Sequence, residues 1–223
     1  MTKTKSSLLV ATLCAASIVS ASAQDYGAQL SAGDKALGSQ DLPGALAAYA
    51  KAQEISTNDG ERAFAKAKQA FVKAEQKDYA GAQALAEESL ATQGGISAVC
   101  KVTAYQALAK AKMRGDEDYE AAIEVLEKAQ RLNGVDWAQP LVNLMLGDCY
   151  RETGKNDMAV EVYEEIIKMP DASPGAKAQA YFNMGLTEQY ALKNAQKAKE
   201  ALAEAVKLNP SLQAEADKHA SKP

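Results

Sequence analysis

Leu146-Gly147-Asp148-Cys149-Tyr150, followed by Gly154, Ala159, Tyr163 and Pro170, is the stretch that decides how this chain folds. A glycine inside a helix costs about 1 kcal/mol relative to alanine. Gly147 nevertheless sits in an otherwise good helix-forming run, and close approach by a neighbouring helix is the physical reason for it. Ala159 and Tyr163 are four residues apart and share one face of the next helix. The alanine supplies a small facing surface, and the tyrosine fills the space one turn on. Gly154 marks the turn between the two helices, and Pro170 ends the unit.

The pattern recurs along the chain. The small residue early in the second helix falls at Ala45, Ala82, Ala122, Ala159 and Ala198, in steps of 37, 40, 37 and 39 residues. Gly33 and Ala70 stand where Gly147 does, and Gly185 does so with one residue of slippage. The large apolar position reads Tyr49, Ala86, Leu126, Tyr163 and Leu202, so the second unit lacks its large residue. Units close at Thr57, Gly94, Gly134, Pro170 and Pro210, and the third and fifth carry insertions in their turns. Pro43, Pro140 and Pro174 fall at helix starts, where a missing N–H costs nothing, with Asp136 placed to cap the helix after it.

This set of positions resembles the tetratricopeptide repeat (TPR), a helix–turn–helix unit of about 34 residues. The resemblance spans roughly residues 25–210. It implies an all-α fold of about five helix pairs stacked into a right-handed superhelix. The repeats lie near residues 25–58, 60–95, 96–134, 137–171 and 174–210, with a polar capping segment at 211–223. Such arrays need a cap because an end repeat otherwise exposes an apolar face.

Composition agrees. The chain is rich in Ala, Leu, Glu, Lys and Gln, which lose least on entering a helix, and aromatics make up only 6% of it. A formal net charge of −4 with no basic block argues against a nucleic-acid surface.

Residues 1–23 are a separate object. Lys3 and Lys5 precede an apolar stretch from Leu8 to Val19, and Ala21-Ser22-Ala23 forms a small-residue exit. These are the three parts of a secretory signal peptide, with cleavage expected before Gln24. The apolar run is too short for a membrane span of about 20 residues, and no later segment is long enough. Leu13 directly before Cys14 is too bulky for a lipid-anchor signal, so the expectation is a soluble exported protein, of the periplasm or else secreted or in the outer cell envelope. Loss of the leader takes the formal charge from −4 to −6.

Export leaves Cys100 and Cys149, and an oxidising compartment invites a disulfide. On the repeat ruler the two lie on parallel first helices, about 15 Å apart along the axis at 1.5 Å per residue. A disulfide needs Cα atoms within about 7 Å, so two buried free thiols are expected.

The sequence offers little for catalysis. His219 is the one histidine. It stands near a polar C-terminus expected to fray, so no Ser/His/Asp or Cys/His arrangement can be assembled. Asp116-Glu117-Asp118 lacks the glycine and later glutamate of a calcium loop. No enzyme, metal or cofactor is expected.

The resemblance implies a partner site. First helices of this family line a concave groove, and the register places Phe64, Phe71, Leu144, Asp148, Arg151, Phe182, Leu186 and Tyr190 on it, with Tyr150 a repeat position. Phe71 and Phe182 stand on the groove face or pack against the adjacent repeat. Trp137 opens the fourth unit and is expected to staple it to the third. The Lys/Asn/Arg clamp of chaperone-tail-binding members is missing, since Leu30 and Asp34 occupy its first positions. The function implied is a non-catalytic scaffold of the bacterial cell envelope that binds a peptide or a protein partner. The competing reading is a self-assembling structural subunit of an envelope or secretion assembly, for which a homo-oligomer is possible.

Overall fold

The computed structural model describes residues 25–220, and the leader reading therefore lies outside the described residues. All regular structure among them is helical. Residues 25–38 form α1, followed by α2 (Leu42–Ile55), α3 (Asp59–Glu75), α4 (Tyr79–Leu90), α5 (Ala98–Ala111), α6 (Tyr119–Gln130), α7 (Gln139–Glu152), α8 (Asn156–Lys168), α9 (Pro174–Tyr190), α10 (Ala195–Leu208) and α11 (Gln213–Ala220). The chain divides within α5, between Ala107 and Leu108, into two compact units.

Short polar residues set the helix starts. Asp41, Asp78 and Asp118 each accept the backbone N–H three residues on, at 2.9–3.0 Å. Ser173 and Asn194 do the same for α9 and α10 at 3.1 and 3.3 Å. Each such bond satisfies one of the orphan donors of a first turn and is worth about 1 kcal/mol. Asp136 does not cap α7 as the sequence led us to expect. It opens a 3-10 turn, Asp136–Ala138, and α7 begins behind Ala138 without a side-chain cap.

The turn inside every helix pair carries one left-handed residue. These are Gln40, Lys77, Glu117, Gly154 and Lys193, each five positions before the small residue of the second helix. Three turns are closed by a backbone bond spanning five residues: Asp41 to Ala36, Asp78 to Lys73 and Lys155 to Tyr150. In the other two the bond spans six, Asp118 to Lys112 and Asn194 to Glu188. The extra residue is taken up in the first case by a π turn over Lys112–Asp116. It is the physical source of the one-residue slippage at Gly185, and it moves the third unit's packing position from Lys110 to the buried Ala109.

In the first unit, Ala45, Tyr49 and Val72 form one buried cluster, and Tyr26, Ala52 and Ala65 another. Tyr26 donates to the Glu61 carbonyl at 2.8 Å. Cys100 is buried with its Sγ 3.4 Å from Ser89 Oγ.

In the second unit the repeat glycines each pack directly against the large side chain of the next helix. A Cβ on Gly147 would run into the Tyr163 ring, and one on Gly185 would come within 2.9 Å of Leu202 Cγ. Gly33 and Tyr49 repeat the relationship in the first unit. Where the large residue is replaced by Ala86, the glycine is replaced by Ala70, and both are fully buried. Cys149 is buried and free. At the end of the second unit, a 3-10 turn at Pro210–Leu212 leads into α11, whose Ala216 packs with Phe182, Leu202 and Ala205.

Candidate partner-binding site

Gly147 fixes where the Tyr163 ring goes, and the ring's hydroxyl fixes Asp148. Tyr163 donates to Asp148 Oδ1 at 2.8 Å. The same oxygen accepts from Asn183 Nδ2 at 2.9 Å, and Arg151 lies 3.7 Å away. Burial pushes the Asp148 carboxyl above its ordinary value, against the pull of Arg151 and Tyr163. Burial and the neighbouring Asp148 raise the Tyr163 hydroxyl beyond the usual tyrosine range. Through this one oxygen Asp148 ties α7, α8 and α9 together.

The first unit builds the counterpart from the same positions. Tyr49 donates to Asp34 Oδ1 at 2.6 Å, and Lys68 Nζ reaches that oxygen at 2.9 Å. Lys68 lies 5.5 Å from the Phe64 ring centre and 5.8 Å from that of Tyr49, a cation–π arrangement. Phe64 and Phe71 are half-buried.

Arg151, Leu186 and Tyr190 come together. With Asn156 and His219 they line an open cleft of about 430 Å³ between the C-terminal ends of α7 and α9. Leu144 lies elsewhere, in a hollow of about 650 Å³ at the start of α7 with Trp137, Leu141 and Met169. Phe182 joins neither. It is 7% exposed, packed under α11 against Ala216 and against Leu202 and Ala205 of its own helix pair.

Two expectations are corrected. Trp137 does not staple the fourth unit to the third. It is 65% exposed, while its neighbours Val135 and Ala138 turn inward and take the buried places. His219 is not a frayed end. Its Nδ1 is 2.7 Å from the Tyr190 hydroxyl and its Nε2 3.3 Å from Glu215. Its ring meets those of Phe182 and Tyr190 edge-on, at centroid distances of 6.1 and 5.5 Å. The last turn of α11 is held by aromatic neighbours that a polar sequence context does not reveal.

Sequence reasoning also missed Asn183. The signal was available, because Lys68 and Asn183 each stand one helical turn before the position that repeats Asp34 or Asp148 on the next first helix. Among the described residues no three His, Cys, Asp or Glu side chains converge to hold a metal ion, and no helix is long and apolar enough to cross a membrane.

Comparison with known proteins agrees with this geometry. The tetratricopeptide-repeat profile matches residues 102–136, 142–172 and 178–212. TTC0263, a thermophilic TPR protein of Thermus thermophilus, superposes with a TM-score of 0.66 at 17% identity, over 87% of this chain and 98% of its own. MamA gives a TM-score of 0.59 at 25% identity, over 80% and 95% of the two chains. YrrB, described as a TPR protein with an unusual peptide-binding site, gives 0.58 at 23%, over 85% and 90%. No curated protein sequence matches this chain.

Proposed function

From the premise that this chain is a tetratricopeptide-repeat protein, we propose that it is a non-catalytic scaffold of the bacterial cell envelope that binds a peptide or a partner protein on its first helices. The observation that carries this reading is the cleft lined by Arg151, Leu186 and Tyr190. It brings a guanidinium, an aliphatic side chain and a 40%-exposed tyrosine to one opening. Tyrosine and arginine are the residue types that most often anchor protein interfaces. The structural likeness to YrrB, itself described as peptide-binding, supports a peptide or an extended protein segment as the occupant.

The non-catalytic part of the proposal rests on composition: the sequence holds one histidine, and among the described residues no three His, Cys, Asp or Glu side chains converge to hold a metal ion.

Export is part of the proposal and rests on the leader composition of residues 1–23. Intact mass of the protein recovered from its native cell is expected to show a chain beginning at Gln24.

The functional test is crosslinking in the native envelope followed by pull-down, comparing wild type with Leu186→Ser/Tyr190→Ala. Phe64 and Phe71, on the same reading, are tested as a second pair. A partner recovered with wild type and lost with the Leu186/Tyr190 variant, at unchanged helicity and melting temperature, is the expected result. Equal recovery by the two proteins would remove this cleft from the binding surface.

A further inference from the structure

We infer that the hollow between the start of α7 and the α8–α9 connection is a second docking pocket, for a peptide segment that places a bulky apolar side chain next to lysine or arginine. The inference rests on the scaffold reading above and adds the partner's chemistry at a separate place.

The hollow encloses about 650 Å³, enough for a large side chain. Its walls are Trp137, Leu141, Leu144, Met169 and Pro170. Trp137 is 65% and Leu141 43% exposed. A singly exposed apolar residue is ordinary on a protein surface. Here two of the five most exposed large apolar residues line one concavity with three further apolar side chains.

The charge at the rim has one sign. Asp136 and Asp171 line the hollow, and no lysine or arginine does. Both aspartates are exposed, and neither side chain has an ion pair or hydrogen bond with any described residue. Each stands about one turn ahead of a helix start, α7 or α9. A helix N-terminus carries about half a positive charge, so two helix ends neutralise about one of the two carboxylates. The rim keeps about one unit of uncompensated negative charge beside an open indole face. That face attracts a cation as well.

This combination selects among occupants. Nucleic acid and anionic lipid are repelled. A second copy of the chain, with or without its leader, brings a net negative charge toward an acidic rim. A basic–apolar peptide gains on both counts, by burying its apolar side chain against Trp137 and Leu144 and by placing its cation between Asp136 and Asp171.

Trp137 is the sole tryptophan of the chain, so its emission reports on the pocket directly. The probes are two capped pentapeptides with a central phenylalanine, one flanked by two lysines and the other by two glutamates, titrated into the whole protein at low salt. The lysine peptide is expected to shift Trp137 emission to shorter wavelength and to bind at least about tenfold more tightly than the glutamate peptide. In Asp136→Asn/Asp171→Asn that ratio is expected to fall below about threefold. Equal affinity for the two peptides, no shift with either, or a blue shift that grows with protein concentration alone would each overturn the proposal; the last would mark a second copy as the occupant. If the Leu186/Tyr190 variant loses its partner while neither peptide moves Trp137, the scaffold reading stands and this pocket does not. A lysine-selective shift with equal partner recovery would leave the pocket standing and remove the Arg151 cleft.

Discussion

The Tyr163 ring covers Gly147 so closely that a methyl group on the glycine would fall inside the ring's contact distance. Tyr163 cannot retreat easily, because its hydroxyl is bonded to Asp148 at 2.8 Å. Gly147→Ala is therefore expected to destabilise the protein by about 1–3 kcal/mol, even though alanine is the better helix former. The same change at Gly27, where nothing lies within 4 Å of the added carbon, is expected to stabilise by up to about 1 kcal/mol. Denaturant midpoints of the two variants should move in opposite directions, and movement in the same direction would mean that helix propensity outweighs the packing at Gly147.

Trp137 and Tyr163 make a second contrasting pair. Truncating Tyr163 to alanine removes a fully buried ring and should cost about 3–5 kcal/mol. Trp137→Ala removes a ring that is 65% exposed and should change stability by less than about 0.5 kcal/mol. Thermal melts distinguish these outcomes, and a large loss with the tryptophan variant would contradict its exposure.

The half-buried Asp148 carboxyl gives a pH dependence with a definite sign. Its folded value is raised, chiefly by burial, so the folded state holds the proton more tightly than the unfolded chain does. Stability from this group therefore falls as pH rises through the interval between the unfolded and folded values. Asp148→Asn is the reference that lacks the titration. The stability difference between wild type and this variant should move in favour of wild type as pH drops into the carboxylate range. It should level off below about pH 3.9, the ordinary aspartate value. A difference that is flat across that range, or of opposite slope, would show that Arg151 and Tyr163 outweigh the burial.

Cys149 should be chemically silent in the native protein. Burial, followed by the neighbouring Asp148, pushes its thiol up to about 12, far from the thiolate that reacts. Cys100 is buried too, and burial raises its thiol although Ser89 and Lys101 act against it. Non-reducing intact mass of a chain starting at Gln24 is expected to show two free thiols. Alkylation at pH 8 should proceed only after denaturant is added, and rapid labelling of Cys149 in the folded protein would place it outside the core.

The left-handed turn residue offers a stabilising change. Lys77 sits at φ 65° in the position that Gly154 fills in the fourth pair. A residue with a side chain is disfavoured there by roughly 1–2 kcal/mol, and glycine loses part of that advantage through its freer unfolded chain. Lys77→Gly is expected to raise stability by about 0.5–1 kcal/mol, read as a higher denaturant midpoint at unchanged slope.

Much of this fold was legible because its contacts are short and periodic. Ala45, Ala82, Ala122, Ala159 and Ala198 are fully or almost fully buried, and the glycine–aromatic pairs follow from sterics that one repeat already displays. The third unit resisted because its turn insertion, though readable, does not by itself say which first-helix residue packs; the bond from Asp118 back to Lys112 sets that position at Ala109. The candidate site was legible in part. Arg151, Leu186 and Tyr190 share a cleft because first-helix register carries across repeats. Phe182 was ambiguous because the face it presents is covered by α11, a segment whose own sequence is polar apart from its alanines. Trp137 misled for the opposite reason, since a large aromatic at a unit boundary has the composition of a core residue and the exposure of a surface one.

The shared oxygen of Asp148 has a consequence for how the second unit comes apart. One hydrogen bond to it comes from the partner helix of its own pair and the other from the pair that follows. Peeling α9 away would leave a half-buried carboxylate short of a donor, so fraying of the last pair is penalised at the pair before it. Asp34 ties Tyr49 and Lys68 together in the same way in the first unit. Each unit is thereby pushed toward melting as one cooperative block, and away from the stepwise unzipping open to a chain of independently stable repeats.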